Sequence, residues 1–350
     1  NTLLVTAPQE STGKTAVALA LATAARDRER SVGYMKPKGT RLRSVVGKTV
    51  DEDPMLAREL LDVEAEMHDL EPVVYSPTFV RGAMAGQEDV AALRERVAES
   101  FERLSADRDM MVVEGGGTMT TGGVVELTDA DVADLLDARV LLVATYDEPG
   151  DVDDVLAAAD RIDDHLAGVV FNRVADDDFE ELQATVVPFL EQRGVPVLGV
   201  LPRKKELAGV PVDDLAEELG AEVLTDAPMD TYVERLIVGA MGADGSLSYF
   251  RRTRDAAVIT GGDRSDIHSV ALEAPGVRCL CLTGGFRPPG AVIGKAEERG
   301  VPVLLVQTDT RSTLDRAEEI VEGGRTRNRE TVALMGELLA DHADVDVLLG

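Results

Sequence analysis

Gly13, Lys14 and Thr15 are the residues best suited to hold a polyphosphate. They end the stretch Val5-Thr6-Ala7-Pro8-Gln9-Glu10-Ser11-Thr12-Gly13-Lys14-Thr15, which an apolar run (Leu3, Leu4, Val5) enters and an Ala/Leu-rich helix leaves at Ala16. A strand–loop–helix corner of this kind aims backbone N–H groups at an anion, adds a Lys for the β- and γ-phosphates and supplies a hydroxyl for Mg²⁺. Ser11 and Thr12 belong to the same candidate loop. The full pattern has Gly five places before Gly13, where this chain has Pro8. Pro restricts φ and offers no N–H, so the first turn of the loop is expected to depart from the standard one. The alternative is a plain strand-to-helix turn without a ligand.

Further reactive residues follow apolar runs. Lys36 comes after Ser31–Met35, and Glu114 after Met110–Val113 with Gly115, Gly116 and Gly117 behind it. Asn172 and Pro202 follow later runs of the same kind. Ligands of open α/β sheets bind at the carboxyl ends of strands, which makes these positions convergent. Lys14 and Lys36 would then be two cations around a transferring phosphoryl group, the candidate catalytic pair. Thr15, Glu114 and Asp53 are an all-oxygen set suited to Mg²⁺. Each residue also has a plainer role: Lys36 as a solvated strand end, Glu114 as a capping acid, the glycines as turn formers. Asp53, beside Asp51 and Glu52, also reads as part of a solvated acidic turn.

The positioning elements follow from periodicity. Apolar runs at 110–113, 140–145, 168–171 and 197–201 alternate with helical patterns near 53, at 87–106, 131–136, from 152 and at 179–192. Continuous Val/Leu strands alternating with helices specify a parallel sheet covered on both faces. A boundary is expected near Lys204-Lys205-Glu206, dividing the chain into 1–205 and 206–350. The second part shows a helix at 212–219, strand-like segments at 221–224, 236–240, 256–259, 277–282 and 303–306, and helices from 265, from 291, at 313–322 and at 328–341. Here Gly261-Gly262-Asp263 reads as a tight strand-to-helix turn with Asp263 as N-cap. Arg264 could pair with an anion, and Thr283-Gly284-Gly285 lets backbone approach closely; the alternative is that both loops are tuned for packing.

Bulk composition narrows the function classes. The 350 residues carry 65 acidic and 36 basic side chains, a formal charge of −29, and only seven of the basic ones are Lys. That balance disfavours nucleic acid and anionic membrane surfaces as partners and resembles the carboxylate-rich surfaces of proteins from salt-loving organisms. Cys279 and Cys281 sit two apart in a strand pattern, which makes them core thiols rather than a disulfide. The four histidines lack ligand spacing. No leader-like segment precedes the first strand and no apolar run reaches spanning length, so a cytoplasmic protein is expected.

The segments Ser11–Thr15, Tyr34-Met35-Lys36-Pro37, Val113–Gly117, Val170-Phe171-Asn172-Arg173 and Leu198–Pro202 resemble, in the same order, the motifs of dethiobiotin synthetase. The resemblance implies ATP and Mg²⁺ as ligands. It puts phosphate and substrate contacts on Lys14 and Lys36, Mg²⁺ on Thr15, Asp53 and Glu114, adenine on Asn172, and Pro202 beside the base. Asp263-Arg264 with Thr283-Gly284-Gly285 resembles the DRTGG domain, whose members often sit at dimer interfaces. The tandem is similar to the N-terminal regulatory region of long phosphotransacetylases. The expected fold is therefore α/β: a P-loop NTPase-like parallel sheet with helices on both faces, then a smaller α/β domain of DRTGG type.

Departures from these families limit what is expected. The chain stops at Gly350, where the long enzymes continue into their acetyl-transferring domain, so no acetyltransferase activity is expected of these residues. Pro8 replaces Gly, and Gln9-Glu10 brings a carboxylate towards the phosphates, which disfavours ligase turnover more than nucleotide binding. The expected function is a nucleotide-binding regulatory protein that forms a homodimer through its second domain and partners an acyl-phosphate or acetyl-CoA enzyme. The alternatives are an ATP-dependent ligase activating a carboxylate or carbamate, and a scaffold with a vestigial loop.

Overall fold

The computed structural model describes residues 1–45, 48–323 and 329–350. It divides into two compact units, Asn1–Arg203 with Asn328–Gly350, and Lys204–Arg327. The first unit is built on six parallel strands: β1 (Thr2–Thr6), β2 (Val32–Met35), β3 (Met110–Glu114), β4 (Arg139–Ala144), β5 (Leu166–Val174) and β6 (Val197–Pro202). Their spatial order is β6-β5-β4-β1-β3-β2. From β1 the chain crosses to the edge at β2, returns to β3 beside β1, and then works outward on the other side through β4 to β6. β1 is therefore central, and the loop leaving it lies beside the point where the winding reverses. Leu3, Leu4, Val5, Val112, Val113, Leu141 and Leu142 are fully buried, as strands covered on both faces require.

The helix after the loop, α1 (Lys14–Asp27), is buried along almost its whole surface, from Ala16 through Ala22 and again at Ala25. A helix apolar all round needs a cover on each side. One cover is the sheet. The other is α6 (Arg329–His342), which packs along α1 and against β6. Ala343 forms an antiparallel bridge with Gly199 of β6, and Arg30 and Arg139 donate to the carbonyls of Leu349 and Val347 in α7 (Val345–Leu349) at 2.8 Å each. The closing helix expected at 328–341, assigned from sequence to the second domain, thus folds with the first.

Between β2 and β3 lie two short strand pairs. Leu42–Val45 and Lys48–Asp51 pair antiparallel, while Lys38–Gly39 pairs with Val73–Val74. The helix α2 (Glu52–Leu60) is capped by Asp51, whose side chain accepts from the Asp53 N–H at 2.9 Å. Pro54 is the third residue of this helix. The single helix expected at 179–192 runs Asp176–Glu191, with a π-helical stretch at Leu182–Val186.

The second unit has a five-stranded sheet of β7 (Glu222–Val223), β8 (Arg235–Val238), β9 (Ala256–Gly261), β10 (Val277–Thr283) and β11 (Val303–Leu305), in the order β7-β11-β10-β9-β8. All pairs are parallel except β7 with β11. Val258, Leu280, Leu282 and Val303 pack one face; Ala257, Ile259, Cys279, Cys281 and Leu304 pack the other. The two cysteines are free and buried side by side on one face, as their spacing implied.

Candidate nucleotide and metal site

The loop after β1 turns twice through left-handed backbone, at Ser11 (φ 55°) and Gly13 (φ 91°), before α1 begins. Gly tolerates that region without penalty and Ser does not. Gln9 ties the loop to the neighbouring strand end by accepting from the Thr145 hydroxyl at 3.2 Å and donating to Asp154 at 3.0 Å. Glu10 is exposed, so its carboxylate stands away from the buried face of the corner. Asn172 is buried under the loop: Nδ2 donates to the Thr12 carbonyl at 2.8 Å, and Oδ1 accepts from the Arg173 N–H at 2.9 Å. Arg173 donates to the Ser11 carbonyl at 2.9 Å. Asn172 thereby braces the loop, a role additional to the base contact its motif implied.

Lys14 is buried and donates Nζ to the carbonyl of Gly117 at 2.6 Å. Burial lowers its pKa, with Glu114 and Asp129 opposing the shift. Among the described residues Lys14 has no carboxylate partner within ion-pair distance. Its charge is held by a neutral dipole at the mouth of the loop, an arrangement suited to receiving an anion.

Behind Lys14 lies a buried ionic cluster. Glu114 accepts from the Thr15 hydroxyl at 2.6 Å through Oε1 and from the Tyr34 hydroxyl at 2.7 Å through Oε2. Lys36 Nζ lies 2.9 Å from Asp51 Oδ2 and 4.0 Å from Glu114 Oε1, and is hydrogen-bonded to Asp53 Oδ2. Arg41 holds the other Asp53 oxygen at 2.8 Å. Burial disfavours the Lys36 charge, but Asp53, Glu114 and Asp51 outweigh it and raise the ammonium's pKa. Burial and the Asp53 charge push the Glu114 carboxyl up to about 7, against the pull of Lys36. Asp53 stays below its ordinary value because Lys36 and Arg41 overcome its burial.

The structure thus brings Lys14, Thr15, Lys36, Asp53 and Glu114 together at one sheet edge. Lys36 is not a solvated strand end, and Asp51 and Asp53 are not a solvated turn. Pro202 stands further out, on β6 beside Val174. Sequence reasoning missed Tyr34, Arg41, Asp51, Glu71 and Lys38. Lys38 is fully buried and bound to Asp129 at 2.7 Å, and Asp129 in turn accepts from Thr6. The alternation Lys36–Lys38 in an extended segment was the signal available for it.

Mg²⁺ fits this donor set. Thr15, Glu114 and Asp53 offer hard oxygens only, and in the loop before Thr15 the buried Thr12 hydroxyl has no hydrogen-bond partner. Among the described residues no group of three or more His, Cys, Asp or Glu makes a closed metal cage. An ion held by few protein oxygens together with phosphate would need none. Bound there, it would neutralise phosphate charge.

In the second unit the five expected residues meet at the adjoining ends of β9 and β10. Arg264, not Asp263, is the N-cap of α4 (Ser265–Ala271), with no side-chain cap bond, and Asp263 is exposed. Arg264 donates to the Met241 carbonyl at 3.1 Å, and Thr283 shares a hydrogen bond with Thr310 at 2.7 Å. Gly284 (φ 80°) and Gly285 (φ 72°) donate to the carbonyls of Thr308 and Val306. A Cβ on Gly262 would meet the Phe286 carbonyl at 1.9 Å. These contacts give the glycines a packing role.

The family described as AAA domain, AAA_26, matches residues 1–210. The chain belongs to the AAA_26 family. Residues 214–320 match the DRTGG domain. A phosphate acetyltransferase of Pseudomonas putida is 24% identical over 352 residues, covering 95% of this chain and 49% of its own length. An ATP-dependent dethiobiotin synthetase of Aromatoleum aromaticum is 29% identical over 199 residues, 54% of this chain and 85% of its own. The chain spans about half the length of the phosphate acetyltransferase. Among solved structures, the CBS and DRTGG regulatory region of Clostridium perfringens pyrophosphatase, complexed with diadenosine tetraphosphate, covers 36% of this chain and 53% of its own at 22% identity. The TM-score of that overlap is 0.29. Among the described residues no helix is long and apolar enough to cross a membrane.

Proposed function

We propose that the first unit binds a nucleoside triphosphate with Mg²⁺ and that the chain acts as a regulatory module in acetyl-group metabolism. In this reading it is a cytoplasmic protein that pairs with a second copy through its DRTGG unit. The observation that carries the nucleotide assignment is Lys14, an ammonium buried at the mouth of the loop and held by the Gly117 carbonyl rather than by a carboxylate. The likeness to phosphate acetyltransferase along 95% of the chain supports the metabolic setting.

The likeness to dethiobiotin synthetase favours a second reading, an ATP-dependent ligase. Against turnover stands Lys36, whose ammonium is engaged by Asp51 and Asp53 rather than presented to a substrate. Calorimetry of the full chain with ATP and Mg²⁺ in high salt tests both. Heat of binding that Lys14→Ala abolishes is the expected result, and no heat for the wild type would leave a scaffold. Phosphate release that depends on a diamine or a carboxylate, and is lost in Lys14→Ala, would promote the ligase.

A further inference from the structure

We propose that the buried pair Lys38–Asp129 is a positioning device: it seats Gly115, Gly116 and Gly117 so that the Gly117 carbonyl stands where Lys14 donates to it. The consequence for binding rests on the nucleotide reading. The two residues themselves lie outside every motif segment that carried the resemblance.

Lys38 and Asp129 are 0% and 2% exposed. Lys38 follows β2 in the short extended piece Lys38–Gly39 and donates Nζ to Asp129 Oδ1 at 2.7 Å and to the Leu127 carbonyl. The other Asp129 oxygen accepts from Thr6, the last residue of β1. One ion pair thus ties together the chain leaving β1, the chain leaving β2 and the far end of the loop that leaves β3. The glycine run lies against this tie. A Cβ on Gly115 would overlap Asp129 Oδ2, one on Gly116 would overlap the Lys38 carbonyl oxygen, and one on Gly122 would come within 2.9 Å of Lys38 Cδ. Backbone bonds complete the seat: Gly115 donates to the Val5 carbonyl at 2.9 Å, Met119 to Ala7 at 2.8 Å and Asp129 to Met119 at 3.0 Å. Within this frame Gly117 turns through a left-handed φ of 71° and offers its carbonyl to Lys14 at 2.6 Å. Lys14 has no carboxylate within ion-pair distance among the described residues, so the place of its ammonium is set by that carbonyl. Stability does not account for the pair, because neutral groups of similar volume are often as stable as a buried ion pair. What directed bonds between charged groups add is a fixed register between the segments they join.

The test uses the full chain carrying Lys38→Met together with Asp129→Asn. The double change leaves no unpaired buried charge, and the amide at position 129 keeps an oxygen for Thr6. Its denaturation midpoint should match that of wild type. Calorimetry should show ATP with Mg²⁺ bound about tenfold more weakly, and amide hydrogen exchange should quicken several-fold over 115–122 while staying unchanged over β1. Wild-type affinity in the variant overturns the proposal, and so does a loss of affinity that only follows a fall in the midpoint. Should the double variant fail to fold, the wild type decides. Its Gly115, Met119 and Asp129 amides should exchange as slowly as those of β1, and exchange at the rate of an open loop overturns the proposal. If ATP gives no heat with the wild type, the nucleotide reading fails, and the seating stands or falls by exchange over 115–122 alone.

Discussion

Asn172 lies directly under Gly13: a Cβ built on Gly13 would come within 2.5 Å of the Asn172 Nδ2 that holds the Thr12 carbonyl. The loop's sharpest turn and its brace are thus one arrangement. Gly13→Ala would meet two obstacles, a left-handed φ of 91° and the amide below. The strain costs about 1–2 kcal/mol, before the clash is counted. Chemical denaturation should show a loss of at least that size and calorimetry a loss of ATP binding. Adding Asn172→Ala should not restore binding, because the φ penalty stays and the buried Thr12 carbonyl loses its donor.

Glu71 predicts a pH dependence of stability. Its carboxyl is buried, with Oε2 accepting from the Asp51 N–H at 2.8 Å and Oε1 without a partner. Burial, with Asp51 adding to it, raises its pKa to about 7 despite that hydrogen bond. The folded state therefore keeps a proton that the unfolded chain releases at the ordinary glutamate value. Glu71's contribution is most favourable at low pH and is lost as pH climbs from the ordinary range to about 7. Denaturation midpoints of wild type and Glu71→Gln, compared between those limits, should diverge as pH rises, with the variant less affected. Parallel profiles would show that Glu71 does not titrate there.

Gly199 predicts how the C-terminal helices are held. A Cβ at this position would lie 2.6 Å from the Ala343 Cβ and 2.9 Å from the His342 carbonyl oxygen. Gly199→Val overfills that contact at a cost of about 1–3 kcal/mol. Limited proteolysis should then release the 329–350 segment faster than from wild type, and α1, losing a cover, should exchange its amide hydrogens sooner. Unchanged proteolysis would mean that α6 is held mainly by α1.

The charge of −29 predicts a salt requirement. Raising NaCl from about 0.1 M to about 1 M shortens the screening length from roughly 10 Å to roughly 3 Å and relieves self-repulsion of the acidic surface. The melting temperature should rise across that range. A fall would show that attractive pairs such as Arg103–Asp69 outweigh the net repulsion.

Strand order along the chain, the Gly-Lys-Thr corner and the delivery of Lys36 and Glu114 to one sheet edge were all legible in the sequence. Each is written locally: a period of apolar residues, a loop, then a polar residue where a strand runs out. The composition of α1 carried a further clue, since an Ala/Leu helix apolar all round demands a second cover, but nothing local said that residues 329–342 supply it. The ionic cluster was hidden for a related reason. Asp51 and Asp53 look solvated in a run of acids, and only the packing of 38–45 and 48–76 beside β2 buries them against Lys36. Sequence determined which side chains arrive at the edge, because strand ends follow from short-range pattern. Tertiary structure alone decided which of them touch, because burial and pairing depend on segments brought together from far along the chain.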